Sequence, residues 1–280
     1  MTNPVTLLFQ PTIIPMAQQS FIPGALDELT EWVRNYRPEC LPNGDESTGA
    51  DLFPHDGTED GRALTDNELL VELCGRNCYH SYGAKAGKKT NQSYIAHSQS
   101  GSVPHRSIMY HAKMTFFVAG VSRRLTHELI RHYVGADRSE EGSPSMESTR
   151  YTDHPGVFIV PPRVLNSGGG AITQVGDDMS QGYTAYRRYI DSEVAAHTKL
   201  HGSAPKGMDR KRIYEAAAGL LHSQAATSLM WTANPVSLDK MFMERTDESA
   251  DMEFQRLALS WQAICRDRWP NLFYQSNCQK

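Results

Sequence analysis

Long apolar runs are missing from this chain. No stretch approaches the roughly 20 consecutive apolar residues that a membrane-spanning helix needs. Residues 1–19 hold Leu7-Leu8-Phe9 and Ile13-Ile14, but Pro4, Pro11 and Pro15 interrupt them and no basic start precedes them, so they do not read as a secretory signal. Cysteine is scarce. Cys40, Cys74, Cys78, Cys265 and Cys278 are odd in number and scattered, which suits reduced thiols in a cytoplasmic protein and not a disulfide framework. A positive excess is also lacking. Lys and Arg total 28 against 32 Asp and Glu, a net charge of -4, so a nucleic-acid polymer held by bulk charge is excluded while a local basic site is allowed. There is no internal repeat. Gly168-Gly169-Gly170 lacks the strand–turn–helix setting of a dinucleotide-binding loop.

The 280 residues with 39% hydrophobic content can bury one sizeable core. We read a single domain over 1–280, carrying a polar surface insertion at about 37–66 built from Asn, Gly, Asp, Glu and Ser. Apolar spacing predicts helices over 23–33, 67–78, 121–133, 181–200, 209–230 and 249–267, with a helical turn at 94–99. Strands are expected over 114–119, closed by Gly120, and over 157–160, stopped by Pro161-Pro162. Residues 81–91, 136–148 and 166–172 read as loops.

The chemistry concentrates in Thr126-His127-Glu128-Leu129-Ile130-Arg131-His132-Tyr133 and in Ser148-Thr149-Arg150-Tyr151. Two arginines with hydroxyls and ring donors suit a phosphorylated planar ligand, through charge for the phosphate and forked donors for carbonyl edges. His127 and His132 are five apart, not the four that would put two zinc ligands on one helix face, so no metal site is expected. Glu128, Arg131 and His132 do share a face. Alone they would pass for a solvated Glu–Arg pair, but four histidines and four arginines lie between 105 and 132. His105 and His111 taken singly read as structural. Asn234 reads as the C-terminal cap of an apolar helix. Arg245, among Glu244, Asp247, Glu248 and Asp251, reads as one half of a surface salt bridge.

Together these segments resemble flavin-dependent thymidylate synthases. Residues 114–123 followed by Thr126-His127-Glu128-Leu129-Ile130-Arg131-His132 look like that family's strand and signature helix. Cys78-Tyr79, His105-x-Ser107 and His111 look like its upstream segments, and Thr232-Ala233-Asn234 and Arg245 like its downstream ones. The similarity runs over about 72–259 and is most specific over 114–151. Within the family the chain looks closest to the divergent UMP/dUMP methylases of polyoxin biosynthesis.

The departures are informative. The family signature is Arg-His-Arg, seven residues, then Ser; here Tyr133 replaces the second arginine and residues 134–147 intervene before Ser148. The resemblance then implies a flavin-phosphate contact that is either lost or supplied by Arg138 from the longer loop. Glu128 stands where the family often has glutamine, and His222 where it usually has proline. Ala218 stands where the family has a nucleotide-binding arginine, a role open to Arg210 or Arg212.

The resemblance implies an α+β fold, a mixed sheet flanked by helices, assembled as a homotetramer with sites at subunit interfaces. It implies methylation of C5 of UMP or dUMP, with 5,10-methylenetetrahydrofolate as carbon donor and FAD recharged by NADPH. Arg245 would polarise the uracil carbonyls. Ser148, Thr149 and Arg150 would hold the phosphate, with Ser148 also a catalytic candidate, and Glu128 would face the nucleotide. Arg131 and His132 would sit between flavin and nucleotide, and His105, Ser107 and Asn234 would contact the flavin. A strict dUMP thymidylate synthase, or a non-catalytic binding relic of the fold, are the alternatives.

Overall fold

The computed structural model describes residues 5–41, 43–83, 90–100, 104–135 and 144–274, with only the backbone given for 133–135. In chain order its elements are β1 (Thr6–Leu8), β2 (Thr12–Gln18), α1 (Ala25–Tyr36), β3 (Thr58–Glu59), β4 (Arg62–Ala63), α2 (Asp66–Tyr79), α3 (Asn91–Gln99), β5 (Met114–Ser122), α4 (Arg123–Gly135), β6 (Ser145–Met146), β7 (Val157–Ile159), α5 (Pro162–Leu165), α6 (Gly169–His201), α7 (Gly207–Ala218), β8 (Ala226–Ala233), α8 (Pro235–Arg245), α9 (Met252–Arg268) and α10 (Pro270–Phe273). The class is mixed α+β, as expected.

The central sheet has the order β2-β5-β8-β6, all antiparallel. A second, two-stranded sheet pairs β1 with β7 in parallel. Alternate residues of β5 and β8 turn inward, so Phe116, Val118, Leu229 and Trp231 form one apolar face. That face is covered by Leu125 and Leu129 of α4, Phe242 of α8, and Phe254, Leu257 and Trp261 of α9. Phe116 meets Trp261 and Trp269 edge-on, with ring centroids 5.1 and 5.9 Å apart, a favoured aromatic geometry.

β5 extends past the expected stop at Gly120. Gly120 has φ 66°, and the register shifts between Ala119 and Val121, so it forms a bulge inside the strand. A Cβ there would lie 3.0 Å from the Gln10 carbonyl oxygen, which makes glycine a steric requirement as well. Val121 and Ser122 therefore belong to β5, and the signature helix starts at Arg123.

Three other expectations are corrected. The helix anticipated over 209–230 is α7 followed by β8. Thr227, Leu229, Trp231 and Ala233 alternate with more exposed neighbours, a period of two that an alanine-rich stretch obscured. The three-glycine loop is only the entrance to α6, a 33-residue helix that begins at Gly169 and has Gly168, at φ 90°, as its N-cap. β2 was not anticipated, because Pro15 lies inside it. It is an edge strand with a register shift between Pro15 and Ala17, which is where proline is tolerated.

The stretch 37–66 is polar in composition, but its described residues are ordered around a core. Cys40, Leu41, Leu52 and Phe53 are buried in a second core with Val33, Leu73 and Tyr82. It is also bonded through charge. Glu72 on α2 is fully buried, where it takes the Arg76 guanidinium at 2.6 Å, His55 at 2.9 Å and the Asn91 amide at 2.7 Å. The buried Glu68 receives Arg62 through both its oxygens and closes a capping box with Thr65 at the start of α2. Buried charges are tolerable only when satisfied in this way.

Candidate functional site

The site is built where β5 hands over to α4. Ser122 ends the strand. Its amide and hydroxyl donate to the buried Glu253 carboxylate at 2.7 and 2.8 Å, while its Oγ accepts the Leu125 amide at 3.0 Å. Arg124 extends the network to Asp251 at 2.8 Å, Glu253 at 3.2 Å and Glu128 at 3.5 Å. Asp251 in turn caps the N-terminus of α9 through the amides of Glu253 and Phe254. These bonds fix the phase of α4 against α9.

That phase turns Glu128 and His132, one helical turn apart, toward the last turn of α8. Arg245 donates from Nη1 to Glu128 Oε2 at 3.0 Å and from Nε to His132 Nε2 at 2.8 Å. Its guanidinium lies 4.8 Å from the centre of the Phe254 ring, a cation–π contact, and His132 meets the same ring edge-on at 5.4 Å. Burial, reinforced by the Arg245 charge, drives the His132 pKa down to about 4. The imidazole is then neutral near pH 7 and can accept from Arg245. Glu244 is not the partner of Arg245; its carboxylate stands 3.8 Å from His132 Nδ1. The surface-pair reading of Arg245 is thereby replaced by a partly buried one.

The polar segment after α4 forms a second group. β6 pairs with β8 and the Glu147 amide donates to the Ser228 carbonyl, after which the Tyr151 and Thr152 amides close a turn on the Ser148 carbonyl. Arg123 donates to the Glu147 carbonyl and to Thr149 Oγ1, and burial lowers its pKa. Ser148 Oγ accepts the Arg150 amide at 3.4 Å. Arg150 reaches Glu215 of α7 at 3.4 Å, and Lys211 reaches the same carboxylate at 3.4 Å. Arg245 and Arg150 thus belong to two groups within one chain, one centred on α4 and the other on α7.

The remaining residues singled out from sequence are placed as follows. Arg131 is exposed and forms no hydrogen bond or ion pair with any described residue. His105 sits edge-on to Tyr79 at 5.9 Å, and Ser107 lies exposed on the 3-10 turn Arg106–His111. Asn234 is fully buried and its Oδ1 accepts the Ser237 amide, so it caps the start of α8 and does not close a preceding helix. The cause is again β8: a strand, not a helix, ends at Ala233. Arg138 lies outside the described residues. Arg210 donates to the Tyr214 hydroxyl at 2.9 Å, and Arg212 is exposed. His222 Nδ1 accepts the Gln224 amide in the turn before β8. Arg124, Glu253, Phe254 and Lys211 carry no local signal as site residues, because only long-range contact gives them meaning.

The family described as "Thymidylate synthase complementing protein" matches residues 62–271, three quarters of the chain. The chain belongs to that family. It is 30% identical over 195 residues to a flavin-dependent thymidylate synthase of Mycobacterium sp. (strain KMS), covering 68% of this chain and 72% of that one. It is also 30% identical over 214 residues to the enzyme of the same name from Mycobacterium avium (strain 104), covering 73% and 77%. Among solved structures it is similar to a UMP/dUMP methylase, PolB, from Streptomyces cacaoi, bound with 5-Br UMP. That likeness has a TM-score of 0.59 at 15% identity, covers 97% and 96% of the two chains, and concerns the fold. The family resemblance read from the signature helix is therefore borne out.

Proposed function

We propose that this chain methylates C5 of a uracil nucleotide, UMP or dUMP, with 5,10-methylenetetrahydrofolate as the carbon donor and NADPH-reduced FAD as the hydride source. The observation that carries this reading is the aimed guanidinium. Arg245 is held at two of its nitrogens by Glu128 and His132 and backed by Phe254. Uracil C5 is a weak nucleophile, and it attacks more readily when negative charge can reside on the ring carbonyl oxygens. A positioned donor in a low-dielectric site is worth about 3–4 kcal/mol of barrier in such chemistry. His132 stays neutral and keeps a second positive charge away from Arg245 while leaving it pointed.

For the phosphate we assign Arg150, with the Ser148 and Thr149 hydroxyls beside it. The flavin donor set is Arg131, His132, His105, Ser107 and Asn234, with Arg138 from the loop. Arg131 fits that role because it is an exposed cation with no hydrogen-bond or ion-pair partner among the described residues. When bound, the flavin supplies the redox chemistry, and the protein orients and polarises. Arg150 and Arg245 belong to separate groups in one chain, which is why we assign the complete site to subunit interfaces of a homotetramer. The fold family and the nucleotide names of its relatives support the substrate class.

The test is parallel turnover of UMP, dUMP and dCMP by FAD-loaded protein with methylenetetrahydrofolate and NADPH, following methylated product. Flavin colour that bleaches with NADPH and product from UMP or dUMP are expected. Protein that takes up no FAD, or that binds nucleotide without product, would defeat the enzyme reading.

A further inference from the structure

Two cations converge on one carboxylate oxygen. Arg150 Nη1 and Lys211 Nζ each stand 3.4 Å from the same Glu215 Oε1. Both also approach the Tyr151 ring, at 5.6 and 5.3 Å from its centre. Lys211 and Glu215 are one turn apart on α7, and Ala218 lies on the same stripe at the i+7 position. The Ser148 hydroxyl oxygen, 3.4 Å from the Arg150 amide, borders the group.

The separations are long for charge-assisted bonds, which run at about 2.7–2.9 Å. Arg150 is more than half exposed and Glu215 about a third, so solvent weakens the pairing. A phosphate monoester brings close to two negative charges and three acceptor oxygens where the carboxylate brings one charge. It can satisfy Arg150, Lys211 and a hydroxyl together, which Glu215 does not.

We propose that Arg150 and Lys211 form a phosphate clamp for the nucleoside monophosphate and that Glu215 occupies the clamp in the free chain. Lys211 thereby supplies from α7 the cation that this helix lacks at Ala218. The clamp deepens the nucleotide reading above and rests on it. Binding breaks both contacts of Glu215, so the glutamate lowers phosphate affinity and disfavours ligands without a phosphate no further.

The experiment is equilibrium dialysis of FAD-loaded protein against UMP, uridine and ribose 5-phosphate. Lys211→Ala weakens UMP and ribose 5-phosphate about tenfold and leaves uridine unchanged. Lys211→Arg restores most of that loss, which separates charge from folding. Glu215→Gln tightens UMP about twofold to fivefold, again without change for uridine. Equal losses for UMP and uridine in Lys211→Ala, or no change in phosphate affinity in both Lys211→Ala and Glu215→Gln, overturn the clamp. A wild-type protein that binds ribose 5-phosphate but no uracil nucleotide defeats the nucleotide reading and leaves the clamp standing; one that binds none of the phosphates defeats the clamp.

Discussion

Arg245 Nε donates to His132 Nε2 across 2.8 Å, from the last turn of α8 to the third turn of α4. An imidazole nitrogen can accept that bond only while it is unprotonated, so the contact fixes the ring as neutral with its proton on Nδ1, the nitrogen facing Glu244. With Nε and Nη1 occupied, Nη2 is the guanidinium nitrogen that the Glu128 and His132 contacts leave over.

Replacing Arg245 tests that arrangement directly. Arg245→Ala removes the donor we propose for the uracil carbonyls, and we expect nucleotide affinity to fall by about 1.5–3 kcal/mol. Arg245→Lys keeps the charge but has no planar fork to satisfy Glu128 and His132 at once, so it should recover little. Turnover is expected to fall further than affinity, by about 10²–10³ in kcat, since the donor acts most strongly on developing charge. Calorimetric titration with steady-state rates checks both, and a variant with unchanged kcat would remove Arg245 from the chemistry.

Acid should destabilise the fold through His132. In the unfolded chain this histidine titrates near 6.5, whereas in the fold its pKa is about 4. Between those values the unfolded chain takes up a proton that the folded chain refuses, so lowering the pH favours unfolding. The contribution is complete above about pH 6.5 and is lost progressively toward pH 4. The linkage predicts a loss of about 2 kcal/mol on going from pH 7.5 to pH 5. Urea unfolding at the two pH values measures it, and His132→Gln should flatten the difference.

The sequence made part of this site readable. Glu128 and His132 stand at the i and i+4 positions of a strongly patterned helix, and that spacing alone places them on one face. Arg245 was identifiable as a residue but not as their partner, because its apparent partners were the acids beside it. Its true ones are 117 and 113 positions away. Local pattern also misled at β8, where the buried residues alternate while the composition favours helix, and at Pro15, which hid an edge strand. Gly120 looked like a terminator because its positive φ is invisible in sequence. Arg124 and Glu253 have no local signature at all, since their roles exist only once α4 and α9 are packed.

Glu253 offers a test of that packing. Its carboxylate is buried and takes the Ser122 amide, the Ser122 hydroxyl and Arg124. Glu253→Gln retains one acceptor oxygen but leaves Arg124 less compensated, and we expect a loss of about 1–2 kcal/mol. Glu253→Ala strands all three donors and should cost about 3 kcal/mol, the low end for breaking a buried charged contact because Arg124 is partly solvated. Chemical denaturation measures both. If α4 is released from its phase against α9, nucleotide affinity should fall in the same variants, and an alanine variant with wild-type stability would contradict the network.

Asn234 separates a structural task from a ligand-binding one. Its Oδ1 caps α8 by accepting the Ser237 amide at 3.0 Å, and Pro235 follows as the first helical residue. Serine keeps the capping oxygen, so Asn234→Ser should lose less stability than Asn234→Ala, in which the missing cap alone costs about 1 kcal/mol. The amide nitrogen is lost in both. If it serves the flavin, both variants bind FAD more weakly by a similar factor, although the alanine variant melts earlier than the serine variant. Flavin fluorescence titration beside a thermal melt distinguishes the cases: FAD affinity that follows stability, falling in the alanine variant alone, would assign Asn234 to capping and remove it from the cofactor site.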